Sequence, residues 1–335
     1  MPSSISSSDP SPAEAKAATR ALVVLLAGLA AYGLALEGAS RFAFARVSKI
    51  RGRVERDLNA ARVLRPKGTD GKPTLLFVGN SLLLLGVDRE AFTRRVAPQL
   101  DATLFPVENT QYEDWYFGLR SLFAGGSRPS LVAAAFSPRQ LLSPAVNGEH
   151  FARLLMRPRD LLAVQRAAGL DNTGASAFFF AERSEWLGSR AQIRSWLFFK
   201  LFPGLEKAAA LFPPPKPEMP APGAIAAQAL PRLRALDRLC RYYGARLLLV
   251  IPPTTAESAG AAEIQSAAAA EGLLVLVPMQ SGELGPESYS DGFHLNERGA
   301  ARFTPQLADA ILRAQEKGEP ARPERVASES GDEFP

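Results

Sequence analysis

A chain of 335 residues that is 47% hydrophobic and 22% charged has enough apolar mass for a full core, which excludes a wholly disordered protein. Its single cysteine, Cys240, excludes an intramolecular disulfide and a cysteine-cluster metal site; with only two histidines besides, metal chemistry is not expected. The net charge of +5 raises nucleic acid as a partner, but no zinc-finger or RNP-type motif accompanies it and aromatics do not interleave with the densest basic run, so none is expected.

Residues 1–20 are rich in Ser, Pro and Ala and are expected to form a disordered tail. From Ala21 to Leu36 the run ALVVLLAGLAAYGLAL holds sixteen residues without a charge, near the lower limit for crossing a bilayer. An uncleaved anchor over 21–38 is the preferred reading; a cleaved signal peptide and a buried soluble helix are the alternatives. A juxtamembrane helix over 39–65 follows; between Arg41 and Arg56, Arg41, Arg46, Lys49, Arg51, Arg53 and Arg56 stand against Glu55 alone, a composition suited to lipid headgroups. Only Lys16 and Arg20 precede the span, so the positive-inside rule taken literally puts the following domain in the cytoplasm.

A breaker cluster from Pro66 to Gly71 introduces TLLFVG, Thr74 to Gly79, a short apolar run that reads as a buried strand. Similar runs recur at Ala102 to Val107, Leu131 to Phe136, Arg246 to Ile251 and Leu273 to Val277, mostly with helical patterns between them. That alternation predicts an α/β fold with a parallel sheet covered by helices over about 66–315. More than a hundred residues separate the third and fourth strands, too many for one crossover, which requires a helical insertion over about 141–225. Within it, Phe151 to Ala168 and Arg183 to Phe202 mix apolar residues with arginines, and a Pro-rich link runs from Leu211 to Gly223. Leu233, Leu236, Leu239, Cys240 and Tyr243 repeat at helical spacing, predicting a helix from Pro231 to Tyr243 with Cys240 on its core stripe. A last helix is expected from Glu297 to Ala314, and 316–335 is a charged tail.

Two segments carry chemistry. FVGNSLLLLG, Phe77 to Gly86, ends a strand in a small-residue turn and can begin a helix, which places the Ser81 hydroxyl above the carboxyl edge of the sheet and its N–H where an oxyanion would develop. A helix N-cap is the other common use of such a serine. YSDGFHLNERGAARF, Tyr289 to Phe303, sets Asp291 three residues before His294, so one loop offers both a base and the carboxylate that orients it. Taken singly, each has a structural reading as a turn aspartate or a satisfied histidine. His150, the only other histidine, lies in the loop context Asn147 to His150 without a strand-end placement.

GNSL after the first strand and DGFHLNERGAARF before the last helix resemble the opening and closing blocks of the SGNH (GDSL) hydrolase superfamily, with Asn296 and the Gly299-Ala300 pair in place. The resemblance covers Pro73 to Leu312 outside the insertion. It implies a flavodoxin-like three-layer fold, acyl-ester chemistry without cofactor or metal, and a triad of Ser81, His294 and Asp291. The middle blocks depart from the pattern: ENTQYED, Glu108 to Asp114, lacks the family's oxyanion-hole glycine, and Ser137, Pro138 and Arg139 stand where Gly-x-Asn-Asp is usual. Asn80, Asn109, Thr110, Gln111, Ser137 and Arg139 are therefore the candidate oxyanion or substrate-binding residues. With its loosened middle blocks, N-terminal apolar segment and helical insertion, the chain further resembles the membrane-anchored envelope branch of that superfamily, which accompanies O-acetylation or D-alanylation of exopolysaccharides and teichoic acids. That resemblance implies an acylated polysaccharide substrate, a membrane-bound acyl-transfer partner, and an inner-membrane anchor with the main domain in the periplasm.

Overall fold

The computed structural model describes residues 12–47, 49–189, 198, 200–202, 220–255, 260–280 and 282–316. Five short apolar runs form the strands β1 (Thr74–Gly79), β2 (Asp101–Pro106), β3 (Leu131–Ala135), β4 (Arg246–Val250) and β5 (Val275–Leu276). All neighbours pair in parallel in the order β2-β1-β3-β4-β5, the flavodoxin-like arrangement. The central strands are apolar on both faces because both faces are covered. Leu76 and Val78 of β1 enter one core while Leu75 and Phe77 enter the other, and β3 and β4 alternate the same way.

Helices fill the two outer layers. On one face lie α2 (Lys49–Arg62), α5 (Tyr112–Ala124), α10 (Pro222–Tyr242) and α11 (Ala261–Ala270). On the other lie α3 (Ser81–Gly86), α4 (Arg89–Val96) and α12 (Glu297–Glu316), where Phe303, Leu307 and Ile311 form one buried stripe. Helix α10 starts well before Pro231, the expected first residue. Ile225 and Ala229 extend the stripe of Leu233, Leu236 and Cys240 into the core, and their burial outweighs the backbone hydrogen bond a mid-helix proline forfeits. Cys240 is fully buried, and burial pushes its thiol up, away from the reactive thiolate.

Between β3 and β4 the chain forms α6 (Pro138–Leu142) and then the described part of the insertion: α7 (Gly148–Leu154), α8 (Leu161–Ala167), α9 (Asn172–Arg183) and a short helix beginning at Glu185. The stretches 190–197 and 211–219, which include most of the Pro-rich link, lie outside the described residues. So do residues 1–11 and 317–335 of the two expected tails, whereas residues 12–20 are helical.

At the N-terminus, α1 (Pro12–Val47) is one helix, longer than the expected span. It is the one helix among the described residues long and apolar enough to cross a membrane, and it is exposed from Pro12 to Ala35. The basic run after it does not form a uniform outer face. Val54, Leu58 and Ala61 of α2 are in the core, Arg41 pairs with Glu37, Arg51 with Glu55 and Glu185, and Arg53 with Glu108.

Candidate active site

Ser81 is the first residue of α3, immediately beyond the carboxyl end of β1. In the 2-1-3-4-5 order the chain reverses direction between β1 and β3, and ligands favour the crevice outside the strand ends at such a point. Gly79 ends β1 because a Cβ there would stand 3.1 Å from both the Ala135 and Leu83 Cβ atoms. Asn80 caps the helix: its Oδ1 accepts the Leu82 N–H at 3.0 Å and its Nδ2 donates to the Thr110 carbonyl at 3.0 Å.

The other half of the site comes from the loop between β5 and α12. Tyr289 and Leu295 form an antiparallel bridge, and the Ser290 N–H donates to the His294 carbonyl at 2.9 Å, closing a tight excursion around Gly292 at φ 78°. Asn296 secures its base. Its Nδ2 donates to the Glu287 carbonyl at 2.8 Å, and its Oδ1 accepts the Gly299 N–H at 3.0 Å. Gly299 is required because the Ser288 carbonyl packs where a Cβ would sit.

This loop and the Ser81 turn meet. His294 Nε2 lies 2.8 Å from Ser81 Oγ, and His294 Nδ1 lies 2.7 Å from Asp291 Oδ2. The other oxygen of Asp291 accepts the Phe293 and His294 N–H groups at 2.9 and 2.7 Å, so the carboxylate is fixed before it meets the ring. Burial works against its charge, but these bonds and the ring contact outweigh burial and hold the carboxyl below the ordinary aspartate range. An ionised Asp291 assigns the proton to Nδ1 and leaves Nε2 as the acceptor for the serine hydroxyl.

The six candidate oxyanion or substrate residues divide sharply. The Asn80 amide is spent on the turn, and the Thr110 hydroxyl donates to the Val107 carbonyl at 2.7 Å and accepts the Trp115 indole N–H at 2.9 Å. The Gln111 N–H is bound by Asp114 at 2.7 Å, and Ser137 forms a capping box with Gln140 at the start of α6. Arg139 lies in the first turn of α6, half-buried. Asn109 is different: it is exposed and is the one non-glycine with positive φ among the described residues, at 60°. Asparagine is, after glycine, one of the residues that adopt this left-handed conformation most readily. No described hydrogen bond uses the N–H groups of Ser81, Asn109 or Thr110.

Sequence reasoning missed the groups that hold this loop. Asp114 is fully buried and accepts the Gln111 N–H and the Asn147 N–H, the latter at 2.8 Å. Burial raises its carboxyl to about 7 against those bonds. The Asn147 side chain donates to the Glu108 carbonyl at 2.8 Å, and Arg53 of α2 donates to the Pro106 carbonyl and to the Glu108 carboxylate. Gln111-x-x-Asp114 departs from the Ser/Thr-x-x-Glu/Gln form of a capping box, and the contacts from α2 and Asn147 had no local signal.

No protein-family model matches the chain, and no curated protein matches it by sequence. Among solved structures it is similar to one titled "Crystal Structure of TesA", at 14% identity and a TM-score of 0.36, over 72% of this chain and 98% of that one. The fold assignment rests on the strand order and the two packed faces of this chain, not on that likeness.

Proposed function

We propose that this chain is a membrane-anchored serine esterase or O-acyltransferase that acts on acyl groups, acetyl foremost, of an envelope polysaccharide. The observation that carries the reading is the continuous hydrogen-bonded series from Ser81 through His294 to Asp291. In this mechanism Ser81 Oγ attacks the acyl carbonyl carbon while His294 Nε2 takes its proton. The resulting oxyanion faces the Ser81 N–H at the start of α3 and the Asn109–Thr110 backbone. As the ester C–O bond breaks, His294 returns the proton to the leaving alkoxide. Water or a sugar hydroxyl, deprotonated by His294, then attacks the acyl-enzyme, and as the acyl–Oγ bond breaks His294 returns that proton to Ser81. Asp291 keeps the imidazole in the required tautomer and stabilises the imidazolium.

The glycan substrate, a membrane-bound acyl-transfer partner and a periplasmic placement are supported by the resemblance of the Ser81 and His294 segments, with the apolar α1, to the envelope SGNH branch. Fluorophosphonate labelling of the full-length chain in detergent tests the chemistry. Wild type is expected to label and Ser81→Ala is not; absence of labelling in wild type, or equal labelling of the two, sinks the proposal in favour of a non-catalytic scaffold. Acetyl content of the envelope polysaccharide in a Ser81→Ala strain tests the substrate, and compartment reporters fused to the C-terminus test the placement.

A further inference from the structure

The first charge after the apolar part of α1 is held by protein. Contact begins at Leu36 and Glu37, and Ser40 is buried. The Glu37 carboxylate accepts the Ser184 hydroxyl at 2.8 Å, the Glu185 N–H at 2.9 Å and the Trp186 N–H at 3.1 Å, and so caps the short helix that begins at Glu185. A carboxylate there satisfies N–H groups that have no partner inside the helix and sits at the positive end of its dipole. Glu185, itself buried, pairs with Arg51 at 2.7 Å and with Arg153. The end of the apolar span is therefore tied to the insertion and to the start of α2 at one junction.

The exposed aromatic surface of the insertion lies beside that junction. Helix α9 ends at Arg183, one residue before Ser184, and its outer face carries Phe179 and Phe180, 41% and 54% exposed. Phe178 alone of the three turns inward, against Phe151. The Arg183 guanidinium lies over the Phe179 ring, 3.9 Å from its centroid. Exposed aromatics beside a long cationic side chain are the composition favoured at a membrane–water interface. Leu162, Leu201 and Phe202 of the insertion are exposed as well, whereas outside α1 and the insertion only Val63, Leu85 and Leu274 are large, apolar and exposed among the described residues.

Span length identifies what covers this surface. Sixteen residues of helix from Ala21 to Leu36 reach about 24 Å at about 1.5 Å per residue, against a hydrocarbon core of about 30 Å. A run that short favours drawing the protein at its end into the headgroup layer, one of the ways a short span meets the hydrocarbon thickness. Phe180 is one helical turn from Ser184, and thus from the Glu37 carboxylate, so it is drawn in with it.

We propose that the Phe179–Phe180 face of α9 is a second membrane contact, seated in the interface of the bilayer that α1 spans. Its seating also orients the sheet. Arg51 stands at the junction, and Arg53, two residues on, reaches Pro106 and Glu108 at the carboxyl end of β2. The edge that carries Ser81 and His294 is thereby turned toward the lipid surface. This inference rests on the membrane-anchor part of the proposed function and is independent of the catalytic part.

The test places single cysteines in the full-length chain in phosphatidylcholine nanodiscs; the buried Cys240 leaves introduced thiols as the reactive ones. Phe180→Cys and Ser176→Cys report on the outer face of α9, and Asp70→Cys reports on the exposed loop before β1, at the opposite edge of the sheet. Each carries a fluorophore quenched by nitroxide on the lipid acyl chains. Quenching at 180 is expected to exceed that at 70 several-fold, with the order reversed for a water-soluble quencher. Equal lipid quenching at 180 and 70 overturns the proposal, as does preferential water-phase quenching at 180, the result expected if a protein partner covers this face instead. Ser176→Cys leaves both phenylalanines in place and carries the same comparison if Phe180→Cys perturbs α9.

Discussion

His294 sits between two partners that differ in how replaceable they are. Ser81 is half-buried at a helix start, whereas the Asp291 side chain is 53% exposed, so water can take over part of the carboxylate's role at Nδ1. Ser81→Ala and His294→Ala are therefore expected to abolish fluorophosphonate labelling. Asp291→Asn is expected to slow it by roughly a hundredfold, less than the about ten-thousandfold cost seen where the orienting carboxylate of such a triad is buried; labelling rates at neutral pH check this. Asp114 titrates in the other direction from Asp291. Its folded value of about 7 lies above its ordinary 3.8, so between those values the native state binds more protons than the unfolded chain. Its contribution to stability is complete below the ordinary value and is lost as pH rises through about 7. Asp114→Asn is expected to flatten the fall in melting temperature between about pH 4 and about pH 7; an unchanged slope would show that this carboxyl ionises normally.

At the scale of elements, the turn from β1 into α3 works because Gly79 lets β3 and α3 approach. A methyl group there meets the Ala135 and Leu83 Cβ atoms at 3.1 Å and the Ala135 carbonyl at 3.2 Å. Gly79→Ala is expected to cost about 1–3 kcal/mol by denaturant unfolding and to slow labelling more than that loss alone explains, because the displaced residue is two positions from Ser81. The strands were legible because apolar runs flanked by breakers admit few other readings, although β5 shrank to Val275–Leu276. The Asp291–His294 loop was legible because the contacts that shape it are mostly local: the turn at Gly292, the Asn296 cap and the close packing at Gly299 fall within a dozen residues. The Asn109 loop was not, since its left-handed residue is an asparagine rather than a glycine and its supports come from Arg53, Trp115 and Asn147. Distant hydrogen-bond partners leave no periodicity to read.

Across the whole molecule, stability is unevenly distributed. The sheet, its covering helices and the buried residues of α7–α9 form two continuous apolar cores, while the junction that ties α1 and the helix at Glu185 to them is built on charge: Glu37, Arg41, Arg51, Arg153 and Glu185. Such a join resists exchange of its members more than it resists separation, because each ion removed leaves an oppositely charged neighbour desolvated. Glu185 is the member with the most to lose. It is nearly inaccessible and faces two guanidinium groups, and its other oxygen accepts the Ser189 hydroxyl at 3.0 Å. Glu185→Ala takes from Arg153 its carboxylate partner and leaves Arg51 with Glu55, and because both guanidinium groups are partly wet the expected cost is about 3 kcal/mol, the low end for a broken buried pair. That loss falls on the join rather than on the sheet. Limited proteolysis is therefore expected to cut the variant between α7 and the helix at Glu185 much faster than wild type, while the sheet domain keeps its melting temperature. A uniform drop in melting temperature without faster cleavage would mean that the insertion and the sheet unfold as one unit.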